Sequence, residues 1–417
     1  MNKNNYDVIV VGGGASGMMA AGRAAELGAR MALVERGNCL GRKLLNSGKG
    51  RCNLTNIGEL NEFLGSFGKT GNFLRNTFHR FFSQELMEFF QNRGLKLKIE
   101  RGGRVFPESD KASAVVGILT NYLLENKVKI LLNSRVRCVL LKDKCIEGVK
   151  LINGEIIGAK KIILACGGKS YSLTGSTGDG YLIAKELGHA VTKLRPALVP
   201  LEIKEKNIFE LQGLSLDNVR INVIKDEKTI ISEFGDMLFT HFGISGPIIL
   251  SISSEVSSLL ETEKEVCISF DLKPALDRDK LTQRIIRDTK NLGNKNLNNY
   301  FKELLPNKMI KVFLNFLKVN SGKKLNQLTK EEREGLVSLL KDFRLTVTKT
   351  RPIEEAIVTR GGVSIKEINP KTMESKIISG LYFCGEVIDI DAKTGGYNLQ
   401  AAFSTGYVAG ESAASSK

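Results

Sequence analysis

DVIVVGGGASGMMAAGRAAELGARMALVE, residues 7 to 35, decides the fold of this chain. An apolar strand runs into a glycine turn, a helix of small residues follows, and a second apolar strand ends in a carboxylate. Gly12, Gly14 and Gly17 stand at the G-x-G-x-x-G spacing. The first permits the tight turn, the second lets backbone approach a pyrophosphate, and the third lets the helix sit close against the strand. Amides at that helix start can bind a diphosphate. Glu35 ends the second strand, where a carboxylate accepts bonds from ribose hydroxyls and repels a 2'-phosphate. A glycine triplet alone could be an ordinary turn. Strand, helix, strand and terminal acid in register make it a dinucleotide site.

The stretch that follows, CLGRKLLNSGKGRCNLTN at 39 to 56, is dense in glycine and hydrogen-bonding groups. Arg42, Lys43, Lys49 and Arg51 bring positive charge, so it reads as a loop folded over a polar ligand, or as a solvent loop. Cys52 beside Arg51 is a candidate functional thiol; a free cysteine is more often simply buried. Farther on, FLRNTFHRFFSQELMEFFQN at 73 to 92 has helical spacing, with His79 a packing or surface residue. Arg101 and Arg104 flank a glycine turn and could contact a substrate phosphate, or be solvated. Residues 128 to 168 form a run of short strands, and Gly167 allows backbone to pass near a cofactor.

From about Arg195 the texture changes to strand-like segments separated by charged turns, which suggests an antiparallel barrel or sheet inserted in the first domain. TIISEFGDMLFTHFGISGPIILSIS is read as part of it, with GDMLFTHFGISGP at 235 to 247 a substrate-facing loop. His241 is more readily an anchor there than an acid-base group. Residues 274 to 343 turn helical and carry 15 basic against 8 acidic residues, an excess of +7. They form a solvated cap or a basic wall for a nucleic acid backbone. The chain then returns to strands, and its end, SGLYFCGEVIDIDAKTGGYNLQAAFSTGYVAGESAA, holds a short strand, a polar loop and a small-residue helix. The two ends of the chain therefore close one domain.

At 417 residues the chain suggests two or three domains. Seven cysteines without a CxxC pair and three histidines argue against a disulfide framework or a metal centre. The early strand leaves no room for a signal peptide, and no apolar run approaches membrane-spanning length, so the expectation is a cytoplasmic protein without membrane partners. The net charge of +16 either reflects a lysine-rich proteome or steers polyanions.

Taken together, GGGASG at 12 to 17, GRKLLNSGKGRCNLTN at 41 to 56, THFGISGP at 240 to 247, TRGGVS at 359 to 364 and FCGEVIDIDAKTGGYNLQAAFSTG at 383 to 406 resemble the BaiN/RdsA-like family of bacterial FAD-dependent oxidoreductases. The likeness spans almost the whole chain. It implies an α/β fold: a Rossmann-like FAD-binding domain with an inserted β-barrel and a small helical domain. The expected boundaries are 1–194 and 362–417 for the FAD domain, 195–273 for the barrel, 274–343 for the basic helices and 344–361 for a return strand of the barrel. Non-covalent FAD is the expected cofactor, with NADH or NADPH a transient electron donor. The cofactor-binding set is Gly12, Gly14, Ala15, Ser16, Gly17, Glu35, Arg42, Lys43, Gly48, Val136, Gly167, Gly385, Glu386, Asp389, Gly396, Tyr397, Asn398, Leu399 and Gln400.

One branch of the family forms dihydrouridine in 23S ribosomal RNA, and another is named for bile-acid dehydroxylation. The resemblance thus implies FAD-dependent reduction of an activated carbon-carbon double bond, with uridine in ribosomal RNA the first reading. A small enone such as a steroid or bile-acid intermediate is the alternative, and an RNA-binding assembly factor with structural FAD is a third. Reduction requires a placed proton donor, for which Cys52 is the first candidate and Cys384 the second. Arg51, Asn53, Arg101, Arg104 and His241 are the expected substrate contacts.

Overall fold

A computed structural model describes residues 5–143 and 145–415. The chain divides into two compact units, Met1–Ala197 with Ile353–Lys417, and Leu198–Pro352.

In the first unit the strand Asn5–Val11 lies between Met31–Val34 and Ile156–Leu164, parallel to both. Val8, Ile9 and Val10 are all buried, as a continuous apolar run covered on both faces requires. Lys129–Leu131 extends the parallel sheet at one side. At the other, Leu381–Phe383 from the far end of the chain pairs with the second half of Ile156–Leu164. The antiparallel strands Val136–Lys142 and Cys145–Leu151 join through the first half of that same strand.

Helix Ala15–Glu26 packs against the last helix, Tyr397–Ser415, at close to backbone contact. A Cβ on Gly406 would fall 2.3 Å from the Ser16 carbonyl, and one on Gly410 2.3 Å from that of Ala20. Only hydrogen fits at these two crossings, so both ends of the chain share one core.

Residues 73 to 92, expected as one helix, form two: Gly71–Arg80 and Ser83–Gln91. Phe81 is extended between them, its ring stacked on Tyr407 at 4.3 Å and its carbonyl accepting from Ser404 Oγ at 2.6 Å. Tertiary packing against the C-terminal helix overrides local periodicity here.

In the second unit six strands close an antiparallel barrel in the order Leu201–Ile203, Gly243–Ser245, Lys228–Phe239, Ser215–Lys225, Val266–Asp271 and Phe343–Thr350. Closure leaves no edge strand, which removes a site for unwanted pairing. PIILSIS, residues 247 to 253, read from sequence as strand, instead begins the helix Pro247–Leu259. Pro247 starts it, and Ile248, Ile249, Ile252 and Val256 bury one stripe of it.

The boundaries also differ from the expectation. Barrel residues Ile221 and Phe270 and helical residues Phe313 and Leu340 belong to one continuous core, so 274–343 is no separate domain. Phe343–Thr350 closes the barrel, whereas Val358–Arg360 pairs with Arg195–Ala197 in the first unit. The return strand of the barrel therefore ends at Thr350 and not near residue 361.

Candidate functional site

The first unit contains a cavity of about 1450 Å³, counting its open mouth. Gly12, Gly14, Ala15, Ser16, Glu35, Arg42, Lys43, Val136, Gly167, Gly385, Glu386, Asn398 and Leu399 line it. These positions come from seven segments, most of them gathered at the carboxyl ends of the parallel strands, where ligands of α/β sheets bind.

The glycine turn is built for close approach. Gly12 has φ +110° and a Cβ there would lie 2.5 Å from the Ala165 carbonyl, whereas a Cβ on Gly14 would meet nothing within 4 Å. Gly14 precedes the helix Ala15–Glu26, whose first turn carries neither a side-chain cap nor an acid. Its orphan amides therefore remain available to an anion. Glu35 Oε2 accepts from the Gly13 amide at 2.7 Å and Oε1 from the Gly37 amide at 2.6 Å. Two of the four lone-pair positions are thereby fixed, and two remain for ribose hydroxyls.

Beside it lies a polar network. Lys43 Nζ sits 2.6 Å from Glu386 Oε2 and donates to Ser170 Oγ at 2.7 Å. Glu386 Oε1 accepts from Ser170 Oγ at 3.0 Å and from the Thr359 amide at 2.6 Å. Ser170 and Thr359 are fully buried, so the carboxylate is fixed by three donors, two of them from buried residues.

Sequence reasoning missed a second cluster on the wall. Arg135 forks onto Asp179 through two bonds of 2.8 Å, while Arg36 reaches both Thr177 and Asp179. Asp179 was legible only as a helix-start acid; its arginines lie 143 and 44 residues away. Burial opposes charge on Asp179, but Arg135 and Thr177 outweigh it and hold the carboxyl below its ordinary range. Cys166 also lines the cavity, its thiol pushed up to about 12 by burial.

Other expected cofactor residues act behind the wall. Gly17 permits helix contact, since a Cβ would lie 1.9 Å from the Gly12 carbonyl. Gly48 packs against the Asn53 amide, and Gly396 against the Thr55 carbonyl. Tyr397 meets Phe63 edge-on at 4.8 Å, and buried Gln400 joins Thr55 and Ser404 at 2.6 and 2.9 Å. Asp389 is raised by burial and lies outside the cavity lining.

The catalytic and substrate expectations require correction. Cys52 and Cys384 are fully buried in the core and line no part of the cavity, and burial pushes each thiol up to about 12. Arg51 is held by Glu100 and Asp110 at 2.8 and 3.3 Å and lies over the Phe106 ring. The Asn53 amide, oriented to donate to Thr55 O at 3.1 Å and accept from Gly396 N at 3.0 Å, is likewise occupied. Arg101 is exposed, and Arg104 Nε donates to its carbonyl within the turn. His241 is an exposed residue of the second unit, edge-on to Phe242. Among the described residues no cluster of His, Cys, Asp and Glu could hold a metal, and no helix is long and apolar enough to cross a membrane.

A Rossmann-like dinucleotide cavity in a chain that also carries an inserted closed barrel defines the class: an FAD-dependent oxidoreductase. The chain belongs to the HI0933-like family, whose Rossmann-domain model matches residues 6–412. A 3-dehydro-bile acid delta(4,6)-reductase of Clostridium scindens is 33% identical over 407 residues, 97% of this chain and 98% of that protein. A ribosomal RNA dihydrouridine synthase of Escherichia coli K12 is 31% identical over 405 residues, 96% of each. A 3-ketosteroid delta1-dehydrogenase from Sterolibacterium denitrificans superposes with a TM-score of 0.55 at 15% identity, covering 100% of both chains. That last likeness concerns the fold alone.

Proposed function

We propose that this protein reduces a carbon-carbon double bond conjugated to a carbonyl in a small enone of steroid or bile-acid type. The observation that carries this is the 33% identity, along 97% of the chain, to a reductase named for a bile-acid substrate. Uridine in ribosomal RNA, the first reading from the sequence, is the second candidate. It is favoured by relatives at 31% identity and by the charge of +16. Within 274–343, however, Lys295, Lys311, Lys323 and Lys341 each pair with a carboxylate. The cations are interspersed with acids, which weakens the case for a basic RNA track.

FAD fits the cavity through the open turn at Gly14, the orphan amides at Ala15 and Ser16, and the Glu35 carboxylate. Lys43, Glu386, Asn398 and Leu399 line the remainder, and reduced nicotinamide is the proposed transient donor. When bound, the flavin supplies hydride transfer to an electron-poor carbon. The chain's task is to hold the substrate's double bond, shield it from water and stabilise charge on the carbonyl oxygen.

Anaerobic incubation of reduced, FAD-loaded protein with a 3-keto-4-ene steroid, and separately with a ribosomal RNA fragment, tests the choice. Saturation of the steroid ring without dihydrouridine formation supports the enone reading. Dihydrouridine alone would transfer the assignment to RNA.

A further inference from the structure

Residues 171–178 run along the cavity wall, where Thr174, Gly175, Ser176 and Thr177 line it. The segment is fastened at its two ends. At the first, the Lys169 and Ser170 amides donate to Thr359 Oγ1 at 2.7 and 3.0 Å, and Ser170 Oγ donates to Glu386 at 3.0 Å. At the second, Thr177 Oγ1 donates to Asp179 Oδ1 at 2.9 Å and accepts from Arg36. Between them the amides of Thr174, Gly175 and Thr177 donate to the carbonyls of Tyr171, Ser172 and Gly175, all within the segment. Leu173 is 91% exposed and Tyr171 37%, so neither ring nor chain pins it to the core. Gly175 and Gly178 take φ of 108° and 85°, where glycine turns freely. Local backbone bonds and few apolar contacts mark a stretch that opens at low cost.

The groups that hold the second end stand on a rigid frame. The Glu35 amide donates to Leu131 O at 2.8 Å, that of Ser134 to Glu35 O at 2.9 Å and that of Asn133 to Gly37 O at 2.9 Å. Arg36 and Arg135 therefore project from two segments locked to each other. Both line the cavity while 32% and 46% exposed, so they form part of its rim, with solvent on their outer side. Both converge on Asp179, Arg135 through a fork of two 2.8 Å bonds and Arg36 at 3.4 Å. Asp179 begins the helix Asp179–Glu186, and the helix start accounts for an acid there. It does not account for two arginines brought to that acid from distant segments. Arg36 directly follows Glu35, the acid suited to ribose hydroxyls, which places the cluster at the adenosine end of the cavity.

We propose that residues 171–178 are a flap over the adenosine end of the cavity and that Asp179 is its latch: the bonds from Arg135 and Arg36 hold the flap shut on bound FAD, and FAD leaves when they open. A two-bond fork between guanidinium and carboxylate fixes the closed geometry more firmly than a single bond would. Its partial exposure keeps it weak enough to break and sensitive to salt. A cofactor held without a covalent bond is thereby retained by the rate of flap opening as well as by its own contacts. The latch concerns FAD alone, so it stands whether the reduced double bond belongs to an enone or to uridine.

The test uses the full-length protein and the variants Asp179→Asn, Arg135→Gln and the two combined. One arm follows release of FAD from loaded protein by the fluorescence of the free cofactor on dilution. Each single variant releases FAD about five- to tenfold faster than wild type, the scale of one partly exposed charged fork. The double variant releases it no faster than Asp179→Asn, because both changes break the same bonds. Added salt speeds release from wild type and leaves Asp179→Asn nearly unchanged. The other arm measures amide hydrogen exchange of residues 171–178 after FAD has been removed, and both single variants exchange faster there than wild type. Unchanged release in the single variants would overturn the proposal. So would additive effects in the double variant, which would mean that each side chain touches the cofactor independently. Faster release with unchanged exchange would overturn it too, since the flap would then be no looser. A variant that loses thermal stability as a whole exchanges faster throughout the chain, whereas a broken latch speeds exchange in the flap alone.

Discussion

Lys43 Nζ and Glu386 Oε2 lie 2.6 Å apart although 343 residues separate them in the chain. The pair joins the loop after the first βαβ unit to the turn after the last strand of the sheet. Both side chains are less than a third exposed, at 27% and 19%. Removing one partner leaves a half-buried charge uncompensated, which generally costs more than the net worth of the pair. Glu386→Ala also frees the Thr359 amide and the Ser170 hydroxyl, so its expected cost is about 2–4 kcal/mol, read as a lowered thermal midpoint. Glu386→Gln keeps an acceptor for Thr359 and should lose less than half as much. Equal losses would show that the charge, and not the acceptor for Thr359, carries the stabilisation.

Gly17→Ala places a Cβ 1.9 Å from the Gly12 carbonyl, a backbone atom that cannot swing aside. The helix must move from the strand, and its amides move with it. Purified Gly17→Ala is expected to carry no FAD, measured as absorbance of the released cofactor, whereas Gly117→Ala, whose Cβ would meet nothing within 4 Å, should load normally.

Cys52→Ala and Cys384→Ala are expected to retain turnover within about twofold and to lose about 1 kcal/mol of stability for a buried thiol replaced by a smaller group. Iodoacetamide should label Cys39 and Cys145, which are exposed, and spare both buried thiols in the native protein. Loss of turnover in either alanine variant with FAD retained would return that thiol to the reaction.

His189 introduces a pH dependence. Its Nε2 lies 2.8 Å from Ser375 Oγ, which already accepts from the amides of Ile377 and Ile378 at 2.9 Å each. The serine proton therefore goes to Nε2, leaving a neutral ring with its hydrogen on Nδ1, an atom without a partner among the described residues. Burial lowers the folded pKa below the ordinary 6.5, against a smaller opposing pull from Glu367. The unfolded chain thus binds the proton more readily, and the contribution is complete above about pH 6.5 and lost as pH falls below it. The thermal midpoint of wild type should fall between about pH 7 and 5.5 more steeply than that of His189→Gln. Parallel curves would contradict this.

The parts of the fold carried by local pattern were legible in the sequence: Gly12, Gly14, Gly17 and Glu35 announce the βαβ unit, and most expected cofactor residues line the cavity. Elements decided by distant partners were not. PIILSIS at 247 to 253 is short and apolar enough to read as strand, and only the proline and the buried stripe of Pro247–Leu259 identify a helix. Cys52 looked reactive because Arg51 is its neighbour in sequence, yet that arginine turns to Glu100 and Asp110. Asp179 and its two arginines form a cluster only after the sheet brings their segments together.

The central claim is that the cavity holds a flavin that passes hydride to a carbon-carbon double bond activated by a carbonyl. Rapid mixing of anaerobically reduced, FAD-loaded protein with a 3-keto-4-ene steroid tests it most directly, followed at the flavin absorbance and by mass analysis of the steroid. The account predicts that the flavin reoxidises in step with a gain of two hydrogens on the steroid. A purified protein that takes up no FAD, or a reduced flavin that stays reduced before both the steroid and ribosomal RNA, would contradict it.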